Sequence, residues 1–222
     1  MDWQALTLSL ELAGCTVAIL LPLGIAVARV LAWRRFAGRR IVEAALALPL
    51  VLPPTVLGYY LLTAFSARSP LGTAFASLTG HPLAFSFAGL LLASLIFNLP
   101  FAIQPMQRAF EAIGADIRAA AACCGMRGWR IFTDVELPLA WPGVLSALVL
   151  TFAHTLGEFG VVLMVGGNIP GETRTIAIAI YDRVQAFDAH AAALMSAVLL
   201  ALSLAAIAIA YSTTWRAGPA RG

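Results

Sequence analysis

Long apolar segments separated by short polar linkers form the main pattern of the chain. Five segments are each long enough to cross a bilayer, which takes about 20 residues in a helix. They cover residues 6–31, 41–65, 85–106, 139–165 and 191–211. A shorter amphipathic segment at 175–187 is a candidate sixth span. The pattern therefore predicts an all-α membrane helical bundle with five or six spans.

Composition agrees with this pattern. Of the 222 residues, 61% are hydrophobic and 11% are charged, whereas about 25% are charged in a typical soluble domain. A chain of this length has no core large enough for so much apolar surface, so we predict a polytopic membrane protein with one transmembrane domain over 1–222. Its first segment follows Asp2 rather than basic residues, which favours a retained span over a secretory signal.

The arginines predict the orientation. All 14 basic residues are arginines, and four of them stand in the linker "RRFAGRR" (34–40), which the positive-inside rule places in the cytoplasm. The linker 107–138 and the tail carry further arginines, at Arg108, Arg118, Arg127, Arg130, Arg216 and Arg221. By contrast, only one arginine lies in each of the linkers 66–82 and 166–175. We therefore expect an outside N-terminus and a cytoplasmic C-terminus, with arginines that set topology rather than bind nucleic acid.

Prolines interrupt the second apolar segment, and two adjacent cysteines lie in the linker 107–138. The stretch "LPLVLPPTVLGYY" (48–60) is dense in prolines, which break backbone hydrogen bonds in membrane helices. It is consistent either with a kinked packing helix or with a flexible helix that lines a pathway. The adjacent Cys123 and Cys124 lack the spacing of a metal site, and no metal is predicted.

The linker between the third and fourth segments predicts a docking element. Ala119–Ala122 is a run of the best helix former, and Gly125 is expected to end that helix. A second short helix is expected at 129–135, ended by Pro138 before the next span. Two short helices with a glycine joint at the membrane surface suit contact with another protein.

This linker resembles the cytoplasmic signature loop of type I ABC-importer permeases. The family pattern is a Glu-Ala-Ala triplet, a glycine four residues on, and later a branched apolar residue, one variable position and Leu-Pro. The stretch "AAAACCGMRGWRIFTDVELPLAWPG" matches it, except that Ala119 occupies the acidic position. The resemblance implies a coupling loop at about 109–138 that contacts an ATP-binding subunit through Ala119, Ala120, Ala121, Gly125, Leu137 and Pro138.

The resemblance also implies an assembly in the bacterial cytoplasmic (inner) membrane. Two copies of the permease would form the pathway, two ATP-binding subunits would dock beneath, and an extracytoplasmic oxyanion-binding protein would deliver the substrate. The sequence has no Walker A pattern. We therefore expect ATP on the partner subunit, no cofactor on this chain and no enzymatic activity of its own.

Polar residues inside the fourth segment are candidates for a pathway or gate. His154 and Glu158 are four residues apart and would share a helix face, which also carries Thr155. A charge at the centre of a membrane helix costs about 2.5–3.5 kcal/mol on insertion scales, so such groups face a partner or a water-filled cavity. The alternatives for His154 and Glu158 are a structural pair, a gate hinge, a partner for an arginine, or a direct role in the pathway. We expect no catalytic role.

The stretch "GGNIPGETRT" (166–175) adds Asn168 and Arg174 to these candidates, and its Pro170-Gly171 suits a type II turn. Together with "HTLGEFG" (154–160), it resembles the oxyanion branch of the permease family, and its molybdate permeases in particular. The resemblance implies molybdate import. A tungstate or sulfate permease, or an ion-coupled secondary transporter, stays open as an alternative.

Overall fold

The computed structural model describes residues 1–216, and the helices found in that range, α1–α11, are accompanied by one π-helical turn. Arg221 of the predicted cytoplasmic tail lies outside the described residues. In chain order the elements are α1 Trp3–Trp33, α2 Arg39–Val51, α3 Pro54–Phe65, α4 Pro70–Thr79, α5 Phe87–Glu111, α6 Ala115–Cys123, α7 Gly128–Ile131, the π turn Phe132–Glu136, α8 Leu137–Gly157, α9 Gly160–Gly166, α10 Ile176–Gln185 and α11 Ala189–Arg216.

The predicted all-α membrane bundle is confirmed. Within residues 1–216, four helical segments are long and apolar enough to cross a bilayer: Trp3–Trp33, Phe87–Glu111, Gly128–Gly157 and Ala189–Ala208. The bent pair α2 and α3 would make a fifth span. The candidate sixth span at 175–187 is wrong, because α10 has ten residues and rises only about 15 Å.

Prolines break the second predicted span. Between α2 and α3 the helix axis turns by 111°. Leu52 and Pro53 are extended there, with ψ values of 134° and 136°. Pro53 and Pro54 have no N–H to donate, and a proline disfavours helical geometry in the residue before it. The segment 41–65 is therefore two helices rather than one kinked helix.

The fourth predicted span, 139–165, has different limits at both ends. Its helix starts at Gly128, runs through the π turn and ends at Gly157, where Glu158 becomes extended. Pro138 was expected to end a helix but lies in the first turn of α8. A proline inside an α-helix collides with the carbonyl four residues earlier, and the wider π turn just before Pro138 accommodates its ring.

Helix α5 lies at the centre of the packing, with its main contacts to α1 and α8. Met106 and Phe110 of α5 are fully buried among residues of α1 and α8. A second apolar cluster joins Phe97 of α5 to α3 and α9. Helix α1 has 31 residues and is therefore about 45 Å long. It separates an arginine-rich end, which carries 34–40 and α6, from an opposite end, which carries Asp2 and 166–175.

Candidate coupling and translocation sites

The turn after α6 has the geometry that the sequence predicted at Gly125. Gly125 has a φ of +79°, in the left-handed region that glycine adopts without strain. The N–H of Gly125 donates to the Ala122 carbonyl at 3.0 Å, and the N–H of Met126 to the Ala121 carbonyl at 3.2 Å. These two bonds form a Schellman motif. Gly125 therefore ends α6 and turns the chain back towards α7.

The six predicted coupling residues divide into an outer and an inner set. Ala119, Ala120, Gly125 and Pro138 are exposed, whereas Ala121 is buried and Leu137 packs against the core around Met106. The tip of the loop also exposes Trp129, whose accessibility is 73%. The loop thus presents a small-residue and aromatic surface, and its inner residues attach it to the bundle.

Glu136 holds the base of this loop, and the sequence analysis did not identify it. Its side chain is fully buried in the π turn. One carboxylate oxygen accepts from Arg29 Nε at 2.5 Å and the other from Arg118 Nε at 2.6 Å. The Arg118 guanidinium also lies 4.2 Å from the Trp33 ring centroid, and that of Arg29 lies 5.0 Å from the Phe132 ring centroid. We call Arg29, Glu136 and Arg118 the arginine–glutamate triad.

A second polar cluster joins α2 to α5 at the same end. Arg39 bonds to Glu43 at 2.9 Å and to Glu111 at 3.0 Å. The Gln107 amide nitrogen lies 2.9 Å from an oxygen of each carboxylate. These side chains line a cavity of about 320 Å³. Pro49 is the one buried residue of α2, and Leu46 packs partly buried against the core, so this polar cluster adds to the attachment of α2 to the bundle.

In the middle of the bundle, His154 belongs to a hydrogen-bonded chain across three helices. Its Nδ1 lies 3.1 Å from Asn98 Oδ1. The Asn98 amide nitrogen donates to the carbonyl and the hydroxyl of Ser94, and the Ser94 hydroxyl lies 2.9 Å from that of Thr16. Because Asn98 Oδ1 can only accept, His154 Nδ1 carries the proton. The half-buried ring stacks on Phe97 and Phe101, with centroids 4.7 and 3.9 Å away.

Glu158 has a different role from the predicted pairing. Its carboxylate accepts from the Val161 N–H at 2.8 Å and so caps the start of α9. The predicted His154–Glu158 pair is wrong, because α8 ends at Gly157 and Glu158 leaves the helical face. Thr155 is buried, and its hydroxyl donates back to the Thr151 carbonyl at 2.7 Å within its own helix.

At the opposite end, Asn168 and Arg174 form a network with two aspartates. Arg174 Nε donates to Asn168 Oδ1 at 2.6 Å, and the other two guanidinium nitrogens lie 3.8 Å from Asp2 and 3.5 Å from Asp182. Asn168 Nδ2 donates to Asp182 at 2.8 Å. The Arg174 charge is thus shared between two carboxylates.

The loop that carries this network has the predicted type II turn. Gly171 has a φ of +79°, and the Glu172 N–H donates to the Ile169 carbonyl at 3.2 Å. The turn brings Arg174 back towards Asn168, six residues earlier.

The functional residues that the sequence analysis missed are charged or polar residues within or beside apolar segments. Arg29 and Glu136 lie at the edges of apolar segments, where an unpaired charge is costly, so each required a partner. Their pairing could not be predicted, because the two residues are 107 positions apart along the chain. Asn98 was likewise visible as a polar residue within the third predicted span.

Comparison with known proteins places the chain in a family. The family described as "binding-protein-dependent transport system inner membrane component" matches residues 20–215. The molybdenum transport system permease protein ModB of Azotobacter vinelandii is 45% identical over 98% of this chain and 96% of its own. ModB of Escherichia coli K12 is 39% identical over 83% of this chain and 80% of its own.

A solved structure shows the same fold. It is that of a bacterial alginate ABC transporter in complex with an alginate pentasaccharide-bound periplasmic protein. The TM-score is 0.72 at 17% sequence identity, over 96% of this chain and 78% of that chain. With the helical bundle and the near full-length match to the family, these likenesses show that the chain belongs to the binding-protein-dependent transport system inner membrane component family.

Proposed function

We propose that this chain is the membrane-spanning permease subunit of an ABC importer of molybdate. The observation that carries the proposal is the 45% identity to a molybdenum transport permease over 98% of the chain. The molybdenum transport permease ModB of Escherichia coli K12, at 39% identity, supports the same substrate. Tungstate and sulfate are tetrahedral dianions of similar shape and are the alternative cargoes to test.

A separate ATP-binding subunit would supply the energy, with ATP bound there and no cofactor on this chain. The exposed tip formed by α6, Gly125 and Trp129 supports this part of the proposal, because an apolar tip surrounded by arginines suits burial against another protein. Ala119, Ala120, Gly125 and Pro138 would make the contact. Ala121 and Leu137 would hold the tip in place from inside.

The arginine-rich end would then face the cytoplasm, with the N-terminus outside. The density of arginines at 34–40 and beside α6 supports this orientation. The opposite end, including the Asn168–Arg174 network, would face the extracytoplasmic binding protein.

A second copy of the chain would complete the translocation pathway. His154 and Glu158 support this arrangement, since both are polar and partly exposed within an apolar segment. Polar side chains within a membrane span face a partner or water rather than lipid. Thr155 would act in packing behind them, because it is buried and bonded within its own helix.

Reconstitution of the complex tests the proposal. The chain is co-expressed with a separate ATP-binding subunit, purified, and placed in liposomes with the binding protein and labelled molybdate. We expect uptake that requires ATP on the face carrying the ATP-binding subunits. Liposomes with the permease alone are the control.

Competition then identifies the cargo. Unlabelled tungstate and sulfate are added at equal concentration, and preferential loss of uptake with sulfate would reassign the substrate. Uptake driven by a proton gradient without ATP would refute the ABC mechanism and favour a secondary transporter.

A further inference from the structure

We propose that the arginine–glutamate triad transmits movement of α6 to the membrane spans, with Arg118 and Glu136 as positioning residues for energy coupling. The inference rests on the proposed function, because it requires an ATP-binding subunit that pushes on α6. Its structural basis is one buried carboxylate that joins three elements: Arg29 from α1, Arg118 from α6 and Glu136 from the start of the α8 span.

Helix α6 has little other attachment to the spans. Ala121 is its one buried residue, and the helix has nine residues. It is connected to α5 through the turn at 112–114, and to α7 through the glycine joint at Gly125. A displacement of α6 would be absorbed at these joints unless a side chain connected α6 to the bundle.

Arg118 provides that connection in two directions. Its Nε bonds to Glu136 at the foot of the fourth span, and its guanidinium stacks on Trp33 at the end of the first span. Arg29 completes the arrangement, because it bonds to the same carboxylate and lies over Phe132 of the π turn. The Glu136 carboxylate has no exposed surface, and charge-assisted hydrogen bonds to such a group are short and directional. A displacement of α6 therefore moves the bonded helices with it.

The charge balance of the triad determines which substitution affects coupling without disturbing the fold. Two arginines share one carboxylate, so removal of Arg118 leaves Glu136 paired with Arg29 and no buried charge alone. Removal of Glu136 instead leaves two guanidinium groups without their shared partner, which disturbs the fold itself. Arg118→Gln is therefore the informative variant, and Glu136→Gln is not.

The test uses the complete complex in proteoliposomes and measures molybdate uptake and ATP hydrolysis together. For Arg118→Gln we expect wild-type co-purification with the ATP-binding subunit and continued ATP hydrolysis. Uptake per ATP should fall about tenfold, a typical size for a lost coupling free energy. Arg118→Lys keeps the charge near Glu136 and should recover part of the ratio. Arg108→Gln is the matched control, because that arginine is at the same end with a side-chain accessibility of 84%.

Each result bears on the inference. A wild-type ratio of uptake to hydrolysis in Arg118→Gln would overturn it, as would equal defects in Arg118→Gln and Arg108→Gln. Loss of co-purification would also overturn it, because Arg118 would then serve docking or folding rather than transmission. The wild-type complex separates this question from the proposed function: ATP-independent uptake there would refute the importer, whatever the variants do.

Discussion

Replacement of Gly143 by alanine tests whether the close approach of α8 to α5 is needed for stability. A methyl group on Gly143 would collide with the Ala109 side chain, and it would lie 2.7 Å from the Pro105 carbonyl oxygen. The carbonyl belongs to the backbone of α5 and has no rotamer through which to move away. The two helices must therefore separate or shift locally.

Two opposing effects determine the size of the change. Alanine is favoured over glycine inside a helix by about 1 kcal/mol. Overpacking of a tight contact costs about 1–3 kcal/mol. The sum predicts that Gly143→Ala lowers the free energy of unfolding by up to about 2 kcal/mol.

Gly14→Ala in α1 isolates the contact. An added methyl group there meets nothing within 4 Å, so the substitution gains helix propensity without a collision. The propensity term cancels between the two variants, and the difference between them should be about 1–3 kcal/mol. The free energy of unfolding is measured by titration with sodium dodecyl sulfate in mixed micelles, followed by circular dichroism. Equal stability of Gly143→Ala and Gly14→Ala would refute the packing argument.

Three further predictions concern the loops. Glu158→Ala should cost about 1 kcal/mol and reduce hydrogen-exchange protection at 160–166, because it removes the cap of α9; Glu172→Ala, in the nearby exposed turn, should leave that protection unchanged. Gly125→Ala should lower the melting temperature of the purified chain, because a side chain at positive φ costs about 1–2 kcal/mol, whereas Gly125→Asn should lower it less. Arg174→Met should destabilise the chain at low salt by about 1 kcal/mol or less. Its effect on the melting temperature should shrink at high salt, because the ion pairs are partly exposed, and an effect independent of salt would contradict this origin.

The helical bundle was predictable because an apolar segment of about 20 residues has the length and composition to cross a bilayer as a helix. The prolines at 53 and 54 were also visible in the sequence, but their effect was not: proline permits a kink, a break or an ordinary first turn, and the surrounding packing selects among them. Pro138 shows the same limit. It was expected to end a helix, yet it follows a π turn within a continuous one.

The local geometry of the candidate sites was predictable where one residue type is needed at one position. Gly125 and Gly171 both adopt the positive φ that their turns require. Partners across the bundle were not predictable. His154 forms its hydrogen bond with Asn98 on another helix rather than with Glu158 four residues away. Spacing along an ideal helix gives neighbours only while the helix continues, and α8 ends between the two.

The bend between α2 and α3 makes α2 a lever. With 13 residues, α2 is about 20 Å long from its pivot at Leu52–Pro53 to Arg39. A rotation of about 10° at the pivot moves the Arg39 end by about 3.5 Å, which is more than a hydrogen bond tolerates. Small angular changes at two proline-restricted residues are thus amplified at the far end of the lever. The bonds of Arg39 to Glu111 and of Gln107 to Glu43 are therefore compatible only with bend angles close to the observed 111°.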